Sequence, residues 1–245
     1  MQGNYQRRFV AFLDILGFSR LVQQADDPDL RDSIVGAIET MRESLAPNEA
    51  SDFRVTQFSD CTVLSAALSE YGCSLVMTGS IILATNLLNH GMLLRGGLAV
   101  GNMVHTDEVM FGPGFLVAHA QDKSGGTPKI AVDQSLVDEI AGWPNDSGLE
   151  TLIRTDPYDL SPMLHTLAEF ESYDAVPRVG HPVRDDDAAR LAELIANECY
   201  GRGHPPAVTA KWIWMERYWN DSVRPKGILA TTDNVAVRLG RERGD

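Results

Sequence analysis

Phe9-Val10-Ala11-Phe12-Leu13-Asp14-Ile15-Leu16-Gly17-Phe18 is the stretch on which the fold turns. Its first five residues form a continuous apolar run with β-branched and aromatic members, the composition of a strand buried on both faces. The run ends on a carboxylate and a glycine-containing turn. Burying an unpaired Asp costs several kcal/mol, roughly, so Asp14 belongs where the strand emerges, facing a cation or a set of donors. That is the layout of a metal site at a strand end.

Outward from this strand, apolar positions recur at helical spacing over 18 to 25 and 29 to 45, and Pro47 stops the second helix. Residues 53 to 65 read as two strands joined by a tight turn at Ser59 and Asp60. A long apolar helix over 73 to 89 closes at Gly91. Residues 92 to 101 form another buried strand, with Arg95 inside it, and 102 to 111 read as a β-turn region. A helix over 115 to 123, a short strand at 128 to 132 and a helix over 134 to 142 capped by Asp133 follow. The order β, α, β-hairpin, α, β, α, β predicts an α+β fold with helices on one face of a largely antiparallel sheet. Residues 1 to 142 make this core. The composition then shifts toward Pro, Asn, Asp, Ser and Gly over 142 to 159. Residues 143 to 245 are expected to be an irregular and helical C-terminal extension packed on the core, with helices at 184 to 200 and 207 to 220. The sequence has no internal repeat and no low-complexity segment.

The chain has 245 residues, 44% hydrophobic and 22% charged, with a net charge of −13. So acidic a surface offers no basic cluster to displace phosphate counterions, which argues against nonspecific nucleic-acid binding and against anionic membranes. Cys61, Cys73 and Cys199 have no C-x-x-C spacing and no even count, so neither a disulfide framework nor a zinc site is expected. Arg7 and Arg8 precede an apolar run, but Asp14 interrupts it and no small-residue cleavage site follows. No other stretch is expected to reach the roughly 18 uncharged apolar residues of a membrane span. A cytoplasmic location is expected.

Asp14 and Asp60 each lie where a central strand meets a turn. Two carboxylates at neighbouring strand ends can hold two divalent ions, and magnesium takes its remaining oxygens from water and substrate phosphates. Singly, Asp60 reads as a hairpin-turn residue and Asp14 as a helix N-cap. Their joint placement favours the metal. Arg95, inside an apolar strand, must find an anion, either a core carboxylate or a ligand phosphate. Gly96, Gly97 and Gly101 let the backbone approach a neighbouring helix or a ligand closely. His105, His119 and His165 have no ligand spacing, and the aromatic run Trp212, Trp214, Tyr218, Trp219 reads as packing or an oligomer contact.

Taken together these pieces resemble a family. Phe-Leu-Asp-Ile-Leu-Gly-Phe-Ser (12 to 19) is similar to the first metal motif of class III nucleotidyl cyclases, and Gln-Phe-Ser-Asp (57 to 60) resembles the hairpin that supplies their second metal Asp. Arg-Gly-Gly-Leu-Ala-Val-Gly (95 to 101) resembles their Arg-x-Gly-x-x-x-Gly strand. Phe-Ser-Asp, Leu-Arg-Gly-Gly, Phe-Gly-Pro-Gly (111 to 114) and Lys-Trp-Ile-Trp-Met-Glu-Arg-Tyr-Trp-Asn (211 to 220) most resemble the bacterial pyrimidine (uridylate or cytidylate) cyclases of the Pycsar antiphage system. The likeness runs over roughly residues 8 to 142 in spaced motifs, with a weaker echo near the C-terminus.

The resemblance implies a ferredoxin-like cyclase core and a homodimer with composite active sites. It implies conversion of a nucleoside triphosphate to a 3′,5′-cyclic nucleotide and pyrophosphate. Carried over by position, Asp14 and Asp60 would hold two Mg²⁺ or Mn²⁺ ions per site, with the Ile15 carbonyl as an added ligand, and Arg95 would bind the β or γ phosphate. Backbone N–H groups of Gly17, Phe18 and Ser19 would cradle the triphosphate. Thr56 stands where purine cyclases carry their base-selecting Lys, and Leu116 and Ala120 stand where they carry a transition-state Asn and Arg. Neither Leu116 nor Ala120 can donate a hydrogen bond from its side chain, which argues against an ordinary adenylate cyclase and leaves Lys123 and Lys129 as candidate donors. The expectation is a pyrimidine cyclase acting on UTP, with CTP second, whose product signals to a separate effector protein during phage infection. The rival is an inactive cyclase-like module that binds a nucleotide or a partner. A metal-dependent phosphodiesterase would need more His and Asp ligands.

Overall fold

The computed structural model describes residues 5–23, 26–44, 52–123, 126–143, 147–171, 185–223 and 228–231. Strand β1 (Gln6–Ile15) lies in the interior of a mixed sheet, flanked by β3 (Cys61–Ala67) and β4 (Leu94–His105), both antiparallel to it. The hairpin partner β2 (Arg54–Phe58) edges β3. With α2 (Pro28–Ser44) between β1 and β2, and α3 (Glu70–Asn89) between β3 and β4, the order β2-β3-β1-β4 is the ferredoxin-like arrangement. The expected α+β class holds.

Both faces of the sheet are covered, where the sequence predicts helices on one. Phe9, Ala11, Leu13, Leu64 and Leu98 project to one face and are fully buried there, the side on which Phe9 meets Trp143 edge-on. Val10, Phe12, Val63, Ala99 and Met103 project to the other and pack around Ala118 of α4 (Pro113–Lys123). Glycine is the physical reason for the second layer. A Cβ on Gly97 would lie 2.3 Å from the Ala118 carbonyl oxygen, and one on Gly101 would lie 2.6 Å from the Gly114 Cα. Helix α4 therefore rests directly on the backbone of β4, the close approach to a helix that these glycines allow.

Helix α3 has a side-chain cap from Ser69 to the Gly72 N–H. By length and composition it is apolar enough to cross a membrane, contrary to the expectation from sequence. Here it is a core helix whose Cys73, Val76, Met77, Ile81 and Leu83 are buried.

β4 continues four residues past the expected end and pairs there with β5 (Met110–Phe111), inside the stretch read as turn. Beyond it β6 (Ile130–Val132) runs parallel to β4, and Asp133 caps α5 (Gln134–Ala141) as expected. The sheet does not end at 142. After a 3₁₀ turn at Leu149–Leu152, β7 (Ile153–Thr155) and β8 (Pro162–Leu164) extend it, and β8 pairs with β6. These additions give the order β2-β3-β1-β4-β6-β8-β7. The chain divides into compact units at Met1–Thr166 and Leu167–Asp245, and within the first unit residues 153–164 cover the edge that β6 would otherwise leave open.

The second unit contains α6 (Ala168–Glu171), α7 (Asp185–Ala196), a π turn at Asn197–Gly201 and α8 (Pro206–Val223). Its aromatic run is packing. Trp219 is fully buried and donates through Nε1 to the Ile228 carbonyl at 2.9 Å, while Trp214 and Tyr218 pack at 5.1 Å. The Tyr218 hydroxyl accepts from the Leu167 N–H at 3.3 Å.

Candidate metal and nucleotide site

The antiparallel register puts Asp14 of β1 directly opposite Cys61 of β3 on one side and Arg95 of β4 on the other. Directly opposed residues share a sheet face, so these three side chains form one row, and Phe58, opposite Cys61, extends it. Asp60 joins the row from the β2–β3 turn, where Ser59 takes a positive φ of 54°. The Ile15 N–H donates to the Asp60 carbonyl at 3.0 Å, which ties the two carboxylate-bearing main chains together.

Asp14 sits in the strand as its last but one residue and is not a helix cap. Gly17, at φ 78°, makes the turn into α1 (Phe18–Gln23), whose opening N–H groups follow the strand end. Ser19 is exposed and Phe18 buried. The four-residue path from Asp14 to Phe18 therefore places the carboxylate and the turn at one end of β1.

The carboxylates and the Cys61 thiol offer ligand atoms that all lie within 4.8 Å of one another, a spacing a divalent cation can bridge. Arg95 meets Asp14 with Nε at 3.1 Å and Nη2 at 3.0 Å from the same oxygen, Oδ2. The other oxygen, Oδ1, faces Cys61 Sγ at 3.5 Å, and that thiol is 3.9 Å from Asp60 Oδ1. The two alternatives for Arg95 thus meet in one place, since the core carboxylate it pairs with is also the proposed ligand. Cys61 was not singled out by cysteine spacing. The signal for it is its position beside Asp60 and opposite Asp14 in a paired strand.

Thr56 lies on β2 in the next row inward on the same face, opposite Val63, which is opposite Phe12. One row is about 7 Å along the strand. Its hydroxyl meets His105 Nε2 at 2.8 Å, and Ser65 Oγ meets His105 Nδ1 at 2.8 Å. Burial, with the nearby Arg8 and Arg54 charges, pushes the His105 imidazole down to about 4, so it is neutral at physiological pH.

Lys129 is no candidate donor to a ligand. The residue is 8% exposed, and its ammonium bonds Asp156 at 2.7 Å, Ser161 at 2.9 Å, and Asp159. Burial would raise the Asp159 carboxyl, but bonds from Lys129 and Ser161 bring it down to about 2. His119 stacks on Phe115 and meets Phe12 edge-on, and His165 is buried. Leu116 and Ala120 both face outward on α4, Leu116 at 63% exposure.

No protein-family model matches the chain, and no curated protein matches it. Among solved structures it is similar to the monomeric guanylyl cyclase domain of the RhoGC fusion protein from the aquatic fungus Blastocladiella emersonii, at 13% identity and a TM-score of 0.49, over 65% of this chain and 94% of that one. A class III adenylyl cyclase-like ATP-binding protein from Pseudomonas aeruginosa is 13% identical at a TM-score of 0.45, and the match spans 66% of this chain but 38% of that protein. An adenylate/guanylate cyclase/hydrolase from Silicibacter pomeroyi is 17% identical at a TM-score of 0.40, over 65% of this chain and 95% of that one.

Proposed function

We propose that this protein is a cytosolic nucleotidyl cyclase that converts a pyrimidine nucleoside triphosphate, UTP with CTP as second choice, to its 3′,5′-cyclic nucleotide and pyrophosphate. The observation that carries the reading is the convergence of Asp14, Asp60 and Arg95 at one sheet end, an anion and a cation on adjoining strands and a second anion on the hairpin turn beside them. The motif order over residues 8 to 142 supports it.

Asp14 and Asp60 would hold two Mg²⁺ or Mn²⁺ ions, with the Ile15 carbonyl as a further ligand. When bound, such ions lower the pKa of the ribose 3′-hydroxyl and neutralise charge on the departing pyrophosphate. The 3′-oxygen would form its bond to the α-phosphorus as the bond from that phosphorus to the α,β-bridging oxygen breaks, with the hydroxyl proton passing to water and the electron pair leaving on pyrophosphate. Arg95 would turn from Asp14 to the β or γ phosphate, exchanging one anion for another. Gly17, Phe18 and Ser19 would offer main-chain N–H groups to the triphosphate, and Thr56 would contact the base.

A homodimer with composite sites is part of the proposal. Outward-facing Leu116 and Phe111, 63% and 55% exposed, provide apolar surface for it on and beside α4. The cyclic product would act on a separate effector protein during phage infection. The second reading, an inactive cyclase-like module that binds a nucleotide or a partner, is favoured by one observation: Leu116 and Ala120 bring no side-chain donor to the surface of α4.

The test is incubation of the purified protein with ATP, GTP, CTP and UTP in Mg²⁺ or Mn²⁺, with products resolved by mass. A cyclic pyrimidine nucleotide is expected. The absence of cyclic product from all four, at high protein concentration, selects the binding module.

A further inference from the structure

A chain of buried polar groups ends at Thr56 and has a determinable direction. Arg8, 2% exposed, donates through Nε to Ser65 Oγ at 2.9 Å, and its terminal nitrogens are held by the Asp52 carboxylate and carbonyl. Ser65 is fully buried. Arginine only donates, so the serine oxygen accepts there; His105 Nδ1 is the other partner of this fully buried hydroxyl, and the arrangement that leaves no buried proton unpaired gives the serine proton to that nitrogen. That nitrogen is therefore the acceptor of the ring. A neutral imidazole carries one proton, which places it on Nε2, and Nε2–H then donates to Thr56 Oγ1. The threonine oxygen has accepted one bond, and its hydroxyl proton remains to be given.

Three residues from three strands are spent on this one polarity: Arg8 from β1, Ser65 from β3 and His105 from β4. A buried polar chain is costly unless every member is satisfied, and here the open valence falls on its half-buried end, in the row beside the carboxylates.

We propose that the Arg8–Ser65–His105 chain fixes Thr56 as a hydrogen-bond donor to the 4-position of the base, and so selects uracil, whose 4-carbonyl accepts, over cytosine, whose 4-amino group donates. The proposal rests on the cyclase reading of this site, with Thr56 as the base contact. His105 is then a positioning residue that acts through Thr56. A cytosine amino group facing Thr56 leaves the threonine proton without an acceptor, and one neutral hydrogen bond corresponds to about tenfold in binding.

The tautomer is read directly by long-range ¹H–¹⁵N correlation spectra of the ¹⁵N-labelled full chain at pH 7, with the His105 signals assigned by their loss in His105→Gln. The Nε2–H form is expected, and the Nδ1–H form overturns the proposal. Selectivity is read by calorimetry with 3′-deoxy-UTP and 3′-deoxy-CTP, which bind without cyclising, in Mn²⁺. The wild type is expected to prefer the uridine analogue about tenfold. Thr56→Val should bring the ratio close to one and Thr56→Ser should preserve it. Ser65→Ala, which releases the ring from its tautomer, should lower the ratio while Mn²⁺ binding stays unchanged. A ratio that Thr56→Val leaves unchanged overturns this inference alone, whereas failure of every triphosphate to bind removes the cyclase reading beneath it. Should Ser65→Ala fail to fold, the Thr56 variants and the tautomer still decide.

Discussion

Arg95 reaches from β4 to Asp14 on β1 and places two guanidinium nitrogens, at 3.1 and 3.0 Å, on the single oxygen Oδ2. The pair is half-buried, so its worth to stability is modest, about 1 kcal/mol. Under the proposed metal reading, its larger effect is to neutralise a carboxylate that a cation would otherwise claim. Arg95→Met should therefore tighten Mn²⁺ binding in the absence of nucleotide several-fold, and raise KM for the triphosphate by about tenfold. Unchanged Mn²⁺ affinity, measured by electron paramagnetic resonance, would separate the arginine from the metal site.

Asp14→Asn and Asp60→Asn keep the shape of each side chain and remove its charge. Each should reduce cyclisation by about a thousandfold or more, the scale of several kcal/mol that bound metal supplies to such a displacement. The thermal unfolding midpoint should move little. Retained turnover in either variant, with products followed by mass, would remove that residue from the metal site.

Gly97→Ala tests the contact between α4 and the sheet. The new methyl group would meet the Ala118 carbonyl at 2.3 Å and the Gln121 Cβ at 2.5 Å, so α4 must lift. A loss of about 2 to 3 kcal/mol is expected in urea unfolding. Gly17→Ala is the contrasting case, because no atom lies within 4 Å and the cost comes from its φ of 78° alone, about 1 kcal/mol.

Lys129→Met should destabilise the first unit by about 3 to 5 kcal/mol, because Asp156, 1% exposed, loses its cation. The double variant Lys129→Met with Asp156→Leu should recover much of that loss. If Lys129 instead touched the reacting phosphate, the double variant would stay inactive after its stability returned.

The buried His105 makes stability fall in acid. Its folded pKa, about 4, lies below the unfolded value of 6.5, so the unfolded chain binds the extra proton first. The contribution is complete above pH 6.5 and is lost as pH falls toward 4, amounting to about 3 kcal/mol. Arg8 and Arg54 oppose protonation, and Asp52 and Asp107 favour it. The loss between pH 6.5 and 4 should be smaller in His105→Gln than in the wild type, with urea midpoints as the measure.

The elements with a long hydrophobic pattern were legible in the sequence. β1, the hairpin, α3 and β4 each carry enough apolar residues to show their period, but a period carries no strand order, which the pairing of the strands gives. β5, β7 and β8 have two or three residues each, too few to show any alternation, and their partners are distant in sequence. The placement of α4 on the second face was hidden for a related reason. Gly97 and Gly101 announce a close approach without saying what approaches. Asp14, Asp60 and Arg95 could be picked out because charge at the end of, or inside, an apolar strand is conspicuous. Cys61 and the Ser65–His105–Thr56 chain could not, since small polar residues are unremarkable until register brings them together.

The bond from the Ile15 N–H to the Asp60 carbonyl acts as a rivet. It joins the strand end and the hairpin turn at the residues beside or bearing the two carboxylates, so neither main chain can slide without breaking it. The bond therefore holds the main chains that carry the two carboxylates beside one another. Under the proposed metal reading, a designer who wished to favour one metal over another would keep this backbone bond and vary the side chains of Asp14, Asp60 and Cys61.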